Sequence, residues 1–171
     1  MAMRAMRRKL AGLIVNGDGQ SSPDMYGIKT AKNVAGSVIY ADVDITAIDE
    51  TLLDPLFFAY GSDEAIGQNA RLLLNKKDLA AIGKLRNTDK QRVYKITPTA
   101  GNPNVGTIDD GGNIIPYTIC SDLTAYSTAT ASTSAATQTM LFGDPTNYEL
   151  GLFGDYTVRV DESVKAVERM V

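Results

Sequence analysis

Three Gly-Asp pairs are the residues of this chain best suited to chemistry: Asp18 within Asn16-Gly17-Asp18-Gly19, then Gly143-Asp144, then Gly154-Asp155. Glycine lets backbone amides approach a ligand closely, and a carboxylate beside it supplies a hard oxygen donor, so such clusters cradle phosphates or cations. Two carboxylates at strand ends, Asp144 and Asp155, also match the acid–base pair of a glycoside hydrolase. Asp109-Asp110-Gly111-Gly112 adds a fourth cluster. The same residues have a plain reading as turns.

The surroundings favour turns. No Gly-Lys-Ser/Thr follows Asp18, so it is not in a P-loop, and "GDGQSS" lacks the third glycine of a dinucleotide fingerprint. A calcium-loop window opening at Asp18 closes on Lys29, where that loop needs a glutamate. Nothing near Asp144 or Asp155 would lift one carboxylate into the range of a general acid. Asp109 to Gly112 reads as a type I′-like turn. The chain has no histidine, which removes Ser-His-Asp and Cys-His chemistry and His-ligated metals. Cys120 lies in the apolar stretch "IIPYTICSDL" with no base to activate it, and reads as a small buried hydrophobe. Arg71, Lys76 and Lys77 read as a solvated helix start rather than a phosphate site. No catalytic, cofactor-binding or metal-binding residue is therefore expected. Two alternatives stay open: a small hydrolase or transferase using Asp18, Asp144 or Asp155, and a surface or adhesion module suggested by the Ser/Thr/Ala tract at 125–138.

The bulk numbers narrow the classes. The chain has 171 residues, 44% hydrophobic and 22% charged, which suits one folded domain. Seventeen basic and twenty acidic residues give a formal charge of −3, against a dedicated nucleic-acid binder. One cysteine forbids an internal disulfide and fits a reducing compartment. No stretch approaches the ~20 apolar residues of a membrane span. The start "MAMRAMRRKLAGLIVNG" superficially resembles a secretion leader, but its apolar run from Leu10 to Val15 is too short.

The elements that would position these residues follow from periodicity. Met3, Met6, Leu10, Leu13 and Ile14 recur at helical spacing, with Arg4, Arg7, Arg8 and Lys9 mostly on the other side, so residues 1–16 are expected to form an opening helix. Asn16-Gly17 should end it in a left-handed cap. A second helix is expected from about Ala47 to Tyr60, N-capped by Asp44 or Thr46, kinked or split at Pro55 and ended by Gly61. Val38 to Tyr40 reads as a short strand or an extended lead-in. Ala70 to Asn75 reads as a buried strand, and Asn75 as the cap of a helix from Lys76 to Leu85 with Leu79, Ile82 and Leu85 on its apolar face. "NTDKQR" is a turn, and Val93 to Ile96 a strand. Residues 97–113, dense in Pro and Gly, read as a long exposed loop or loose hairpin. "NIIPYTICSDL" is a strand whose Pro116 suggests an edge or bulge. The tract 125–138 is low-complexity and expected to be a mobile loop. "TMLFGD" is a strand, and Tyr148 to Phe153 and Tyr156 to Val160 are one or two more. Interspersed strands and helices give an α+β (mixed α/β) class, a central mixed β-sheet flanked by helices.

The order of these segments resembles the major capsid proteins of tailed double-stranded DNA bacteriophages, whose fold is shared with herpesviruses. In that family a helix ends at Asn-Gly-Asp-Gly and is followed by Gly plus a hydrophobic residue, here "NGDG" and "MYGI". An apolar strand ending in Asn and a short helix follow, here "RLLLNKKDLAAIGKLRNTDKQRVY". A Gly-x-Pro-Val strand corresponds to "IIPYTICSDL", and Phe-Gly-Asp strand ends to "MLFGDPTNYELGLFGDYTVRVDES". Lys90 stands where the family has a glycine after Leu85, and Ile-Ile-Pro replaces Gly-x-Pro. The resemblance implies a single capsid-like domain over 1–171, mostly the axial domain, with 156–171 leading toward the peripheral domain and an arm, hairpin and spine helix lying upstream. It implies a shell subunit without catalysis or cofactor, assembling with copies of itself into pentamers or hexamers. It also implies indirect, non-specific contact with packaged DNA, no membrane partner, assembly in the bacterial host cytoplasm and a final place in the virion capsid. Asn16, Gly17, Asp18, Gly19 and the pairs Gly143-Asp144 and Gly154-Asp155 would then shape corners of the backbone.

Overall fold

A computed structural model describes residues 2–19, 25–32, 36–37, 41–60, 69–129 and 138–149. The expectations for Val38 to Tyr40, Gly61, Gly154-Asp155, the strand from Tyr156 to Val160 and all but the first two residues of the strand from Tyr148 to Phe153 lie outside the described residues, and those two, Tyr148 and Glu149, are not in a strand.

The chain opens with α1 (Ala2–Asn16) and, after the Asp18 corner, a 3₁₀ turn (Ile28–Thr30). A short helix α2 (Leu53–Phe58) precedes β1 (Arg71–Leu74) and α3 (Lys76–Lys84). Then come β2 (Lys95–Thr99), β3 (Asn102–Asp109), β4 (Ile114–Ile119), α4 (Tyr126–Ala129) and β5 (Met140–Gly143). The strands form one sheet in the order β2-β3-β4-β1-β5. β1 and β4 run parallel, and every other neighbouring pair is antiparallel. This is an α+β fold on a mixed sheet.

Strand alternation sets the core. Leu72 and Leu74 of β1, Ile108 of β3, Ile115 and Tyr117 of β4 and Met140 of β5 are buried together with Leu53 and Leu56 of α2 and Ile82 of α3. Leu79 and Leu85 pack against the rim of this cluster. Asn75 caps α3 as the sequence suggests: its side-chain oxygen accepts from the Lys77 amide at 3.0 Å.

Several expectations are corrected. The helix from Ala47 to Tyr60 is only Leu53–Phe58. Asp49 accepts from both the amide and the hydroxyl of Thr51 at 2.9 Å, a local turn that competes with helix over the residues before Leu52. Pro55 therefore falls in the first turn, where an amide has no helical partner anyway, and it neither kinks nor splits the helix. Of the two readings of residues 97–113, the hairpin holds and the long exposed loop does not. These residues build most of β2 and β3, joined through Ala100 and Gly101, the latter at φ +80°. The strand expected over Val93 to Ile96 is displaced to Lys95–Thr99, where its ladder with β3 begins at Lys95↔Asp109, and Tyr94 just before it is buried in the core. The low-complexity tract opens with α4 rather than loop: the Asp78 carboxylate accepts from the Tyr126 amide at 2.9 Å, and the Tyr126 hydroxyl donates to the Thr46 carbonyl at 2.6 Å. Residues 130–137 of that tract lie outside the described residues.

Pro116 lies on an inner strand, not an edge. The β1–β4 ladder begins at Leu72↔Tyr117, one residue past the proline, so at Pro116 the strand pairs only with β3. The missing amide is thus accommodated where β4 is locally one-sided. The β3–β4 turn is not type I′ either, because only Gly111 has positive φ. Asp110 holds it, its carboxylate accepting from the amides of Gly112 and Asn113 at 2.9 and 2.6 Å.

Candidate functional site

The first of the candidate residues, Asn16 to Gly19, lie where α1 ends. Leu10, Leu13 and Ile14 are half-buried and Val15 is buried, so the second half of α1 packs down. Asn16 closes this stretch: its side-chain amide donates to the Asp122 carbonyl at 2.8 Å. The Gly17 amide completes the last helical turn by donating to Leu13 at 2.8 Å.

Gly17 is not the left-handed cap that the sequence suggests. Positive φ falls on Gly19 instead, at +62°. What Gly17 supplies is closeness. The Gly27 amide donates to the Gly17 carbonyl at 2.9 Å, and Asp18 and Tyr26 form an antiparallel rung beside it. A Cβ on Gly17 would collide with the Met25 carbonyl and stand 2.7 Å from the Leu13 oxygen. A Cβ on Gly27 would stand 2.6 Å from the Gly17 nitrogen. Two backbones therefore touch where any side chain would hold them apart. Thr30 locks the contact. Its hydroxyl accepts from the Gly27 amide at 3.2 Å and donates to the Gly17 carbonyl.

Gly143-Asp144 ends β5. The Asp144 carboxylate accepts from the amide and hydroxyl of Thr146 at 2.8 and 2.6 Å. These bonds, with a smaller contribution from Arg71, hold its carboxyl below the usual range. A carboxylate so stabilised is a poor proton donor, the reverse of what a glycosidase acid requires. The Asp144 amide donates to the Tyr60 hydroxyl at 3.1 Å. A few residues on, the Tyr148 hydroxyl donates to the Tyr26 carbonyl at 3.1 Å, so the chain leaving β5 reaches the Asp18 corner. Gly154 and Asp155 lie outside the described residues.

Cys120 is half-buried, not fully buried as expected, and its amide donates to Leu74 at 2.9 Å. Lys76 and Lys77 are exposed at the start of α3. Arg71 is half-buried, and its Nε has no hydrogen-bond partner. Among the described residues no three His, Cys, Asp or Glu side chains are grouped to hold a metal ion. The arrangement is a set of backbone corners, each held by a side chain bonded to the main chain.

One model of a known protein family matches this chain, the phage capsid family, over residues 1–171. The chain belongs to the phage capsid family. No curated protein and no solved structure matches it. The family is a structural one, its members build multimeric capsid shells, and their place is the virion capsid. Among the described residues no helix is long and apolar enough to cross a membrane.

Lys90 is one of the two places where this phage capsid chain departs from the resemblance, and its φ is +62°. The backbone keeps the left-handed turn that a glycine would serve, and a lysine bears the strain.

The sequence reading missed three anchors. Asp78 is buried and reaches forward to α4 instead of back to its own helix cap. Burial pushes its carboxyl up, only partly offset by the Tyr126 amide and by Lys77. The spacing Asn75-x-x-Asp78 resembles a capping box and hides this partner. The side-chain amide of Asn75 donates to Leu123 at 2.7 Å, so one residue caps α3 and ties it to the segment after β4. Thr30 carried no signal in its neighbours, because its partners lie at Gly17 and Gly27.

Proposed function

We propose that this chain is a structural subunit of a tailed-phage or prophage capsid, forming pentameric or hexameric capsomers with copies of itself around a packaged genome. In this reading residues 1–171 act as one capsid-like domain, mostly axial, and the chain performs no catalysis and binds no cofactor. The family match along the whole chain carries the reading. The corner at Asn16, Gly17, Asp18 and Gly19 and the turns at Gly143-Asp144 and Gly154-Asp155 serve to fix backbone direction. A shell subunit meets its neighbours at many moderate contacts, and rigid corners keep those surfaces in register. Contact with DNA is indirect and non-specific, in keeping with a net charge of −3. Assembly takes place in the bacterial host cytoplasm.

The test is sedimentation velocity of the purified chain over a range of concentrations, with electron microscopy of the species formed. Monomers in equilibrium with small rings of one chain type are expected. A strictly monomeric protein at every concentration would overturn the reading. Changing Asp18, Asp144 and Asp155 together to Asn separates it from a hydrolase, because assembly should survive while any turnover would vanish.

A further inference from the structure

Only half of α1 is covered. From Leu10 the helix packs down, but Arg4 to Lys9 are exposed throughout, and Met6, on the apolar stripe, is 53% accessible. Arg4, Arg7, Arg8 and Lys9 make this half a cationic arm, with Arg7 and Lys9 on either side of Met6 around the helix. Elsewhere on the chain lies a surface of the opposite character. Asp42, Asp44, Asp49, Glu50 and Asp54 are all exposed, and no Lys or Arg occurs between Ala41 and Tyr60. Phe58 ends this stretch at 73% exposure. Asp110 adds to the field, since it joins Asp54 and Asp49 in raising the Tyr94 hydroxyl. None of the nine arm and patch charges is in an ion pair among the described residues. An amphipathic helix with an open apolar stripe and flanking cations is built to lie on an acidic surface with an exposed aromatic.

We infer that the α1 arm of one copy docks on the 42–58 surface of the next, Met6 against Phe58 and the arm cations against Asp44, Glu50 and their neighbours. This rests on the self-association reading above and names its surface. The contact is heterologous: one patch of each copy meets a different patch of the next. Such contacts propagate around a ring or along a chain. Opposite charge speeds and registers the encounter, and the apolar pair contributes burial.

Two charge reversals test it on the full chain. The arm variant carries Arg7→Glu and Lys9→Glu, and the patch variant Asp44→Lys and Glu50→Lys. Thermal melts check that each is folded. Each variant alone should weaken self-association about tenfold or more, and the chain carrying both should recover most of the loss. Raising salt should weaken the wild type. A second measurement uses Met6→Cys with Phe58→Cys in a Cys120→Ser background. Oxidation should give a ladder of linked chains, whereas internally linked monomers would overturn the inference. If the wild type assembles and both reversals leave it unchanged, the inference fails and the shell reading stands. If the arm variant assembles normally but loses retained DNA, the arm is a nucleic-acid contact and the inference fails. A wild type that never associates removes the shell reading and this contact together.

Discussion

The carbonyl of Gly17 accepts two hydrogen bonds from across the corner, one from the Gly27 amide at 2.9 Å and one from the Thr30 hydroxyl. This relationship ends α1 and aims the following chain. It depends on both residues lacking a Cβ. It also joins the corner to β5, because Tyr148 bonds to Tyr26 next to Gly27.

Gly17→Ala and Gly27→Ala should each destabilise the chain by about 1–3 kcal/mol, the usual range for forcing an extra carbon into a filled site. Urea denaturation would measure this. The two effects should be strongly non-additive, since either methyl alone already separates the same pair of backbones. Additive losses would mean that the two glycines act independently.

Lys90→Gly should stabilise the protein by up to about 1 kcal/mol. The substitution relieves a left-handed backbone at φ +62°, and the extra freedom of glycine in the unfolded chain offsets part of the gain. Lys90→Ala keeps the strain and should show no such gain. A rise in melting temperature with glycine and none with alanine is the expected pattern.

Asp78 predicts a pH dependence. Its folded carboxyl titrates above the ordinary aspartate value, so the folded state holds more protons than the unfolded state between those two values. Its contribution to stability should therefore fall as pH rises through that window. Asp78→Asn, which can still accept from the Tyr126 amide, should lack that fall when the two unfolding curves are compared across acidic pH. Asp78→Ala should cost about 1–2 kcal/mol at neutral pH, because it leaves the Tyr126 amide without its partner.

Tyr94 predicts the alkaline limb. Its ring is buried, and its hydroxyl donates to the Glu50 carbonyl at 2.7 Å. Burial, aided by Asp110, Asp54 and Asp49, pushes that hydroxyl up to about 12. The unfolded chain ionises first, near 10, so stability should fall between about pH 10 and 12. Tyr94→Phe should cost about 1 kcal/mol at neutral pH and flatten the alkaline limb. Tyr117, also raised by burial, should leave a residual slope.

By itself the sequence determined the elements whose cause is local. Helical spacing predicted α1, the Asn75 side chain predicted the start of α3, and short apolar stretches predicted β1, β4 and β5. The ordered motifs pointed to the capsid family. Tertiary structure decided everything whose partner lies far along the chain. Gly17 read as a left-handed cap because Asn-Gly commonly serves that purpose, yet its role depends on Met25 and Gly27 approaching from across the corner. Pro and Gly over 97–113 read as a long exposed loop or a loose hairpin; the hairpin forms, and pairing with β4 on its other side draws β3 into the sheet over Asn102–Asp109. Asp78 gave no signal of its own in the sequence, yet α4 folds over it and makes it a buried acceptor. Local propensity is worth tenths of a kcal/mol per residue, whereas a sheet ladder or a buried core outweighs it, and only the folded chain shows which ladder forms.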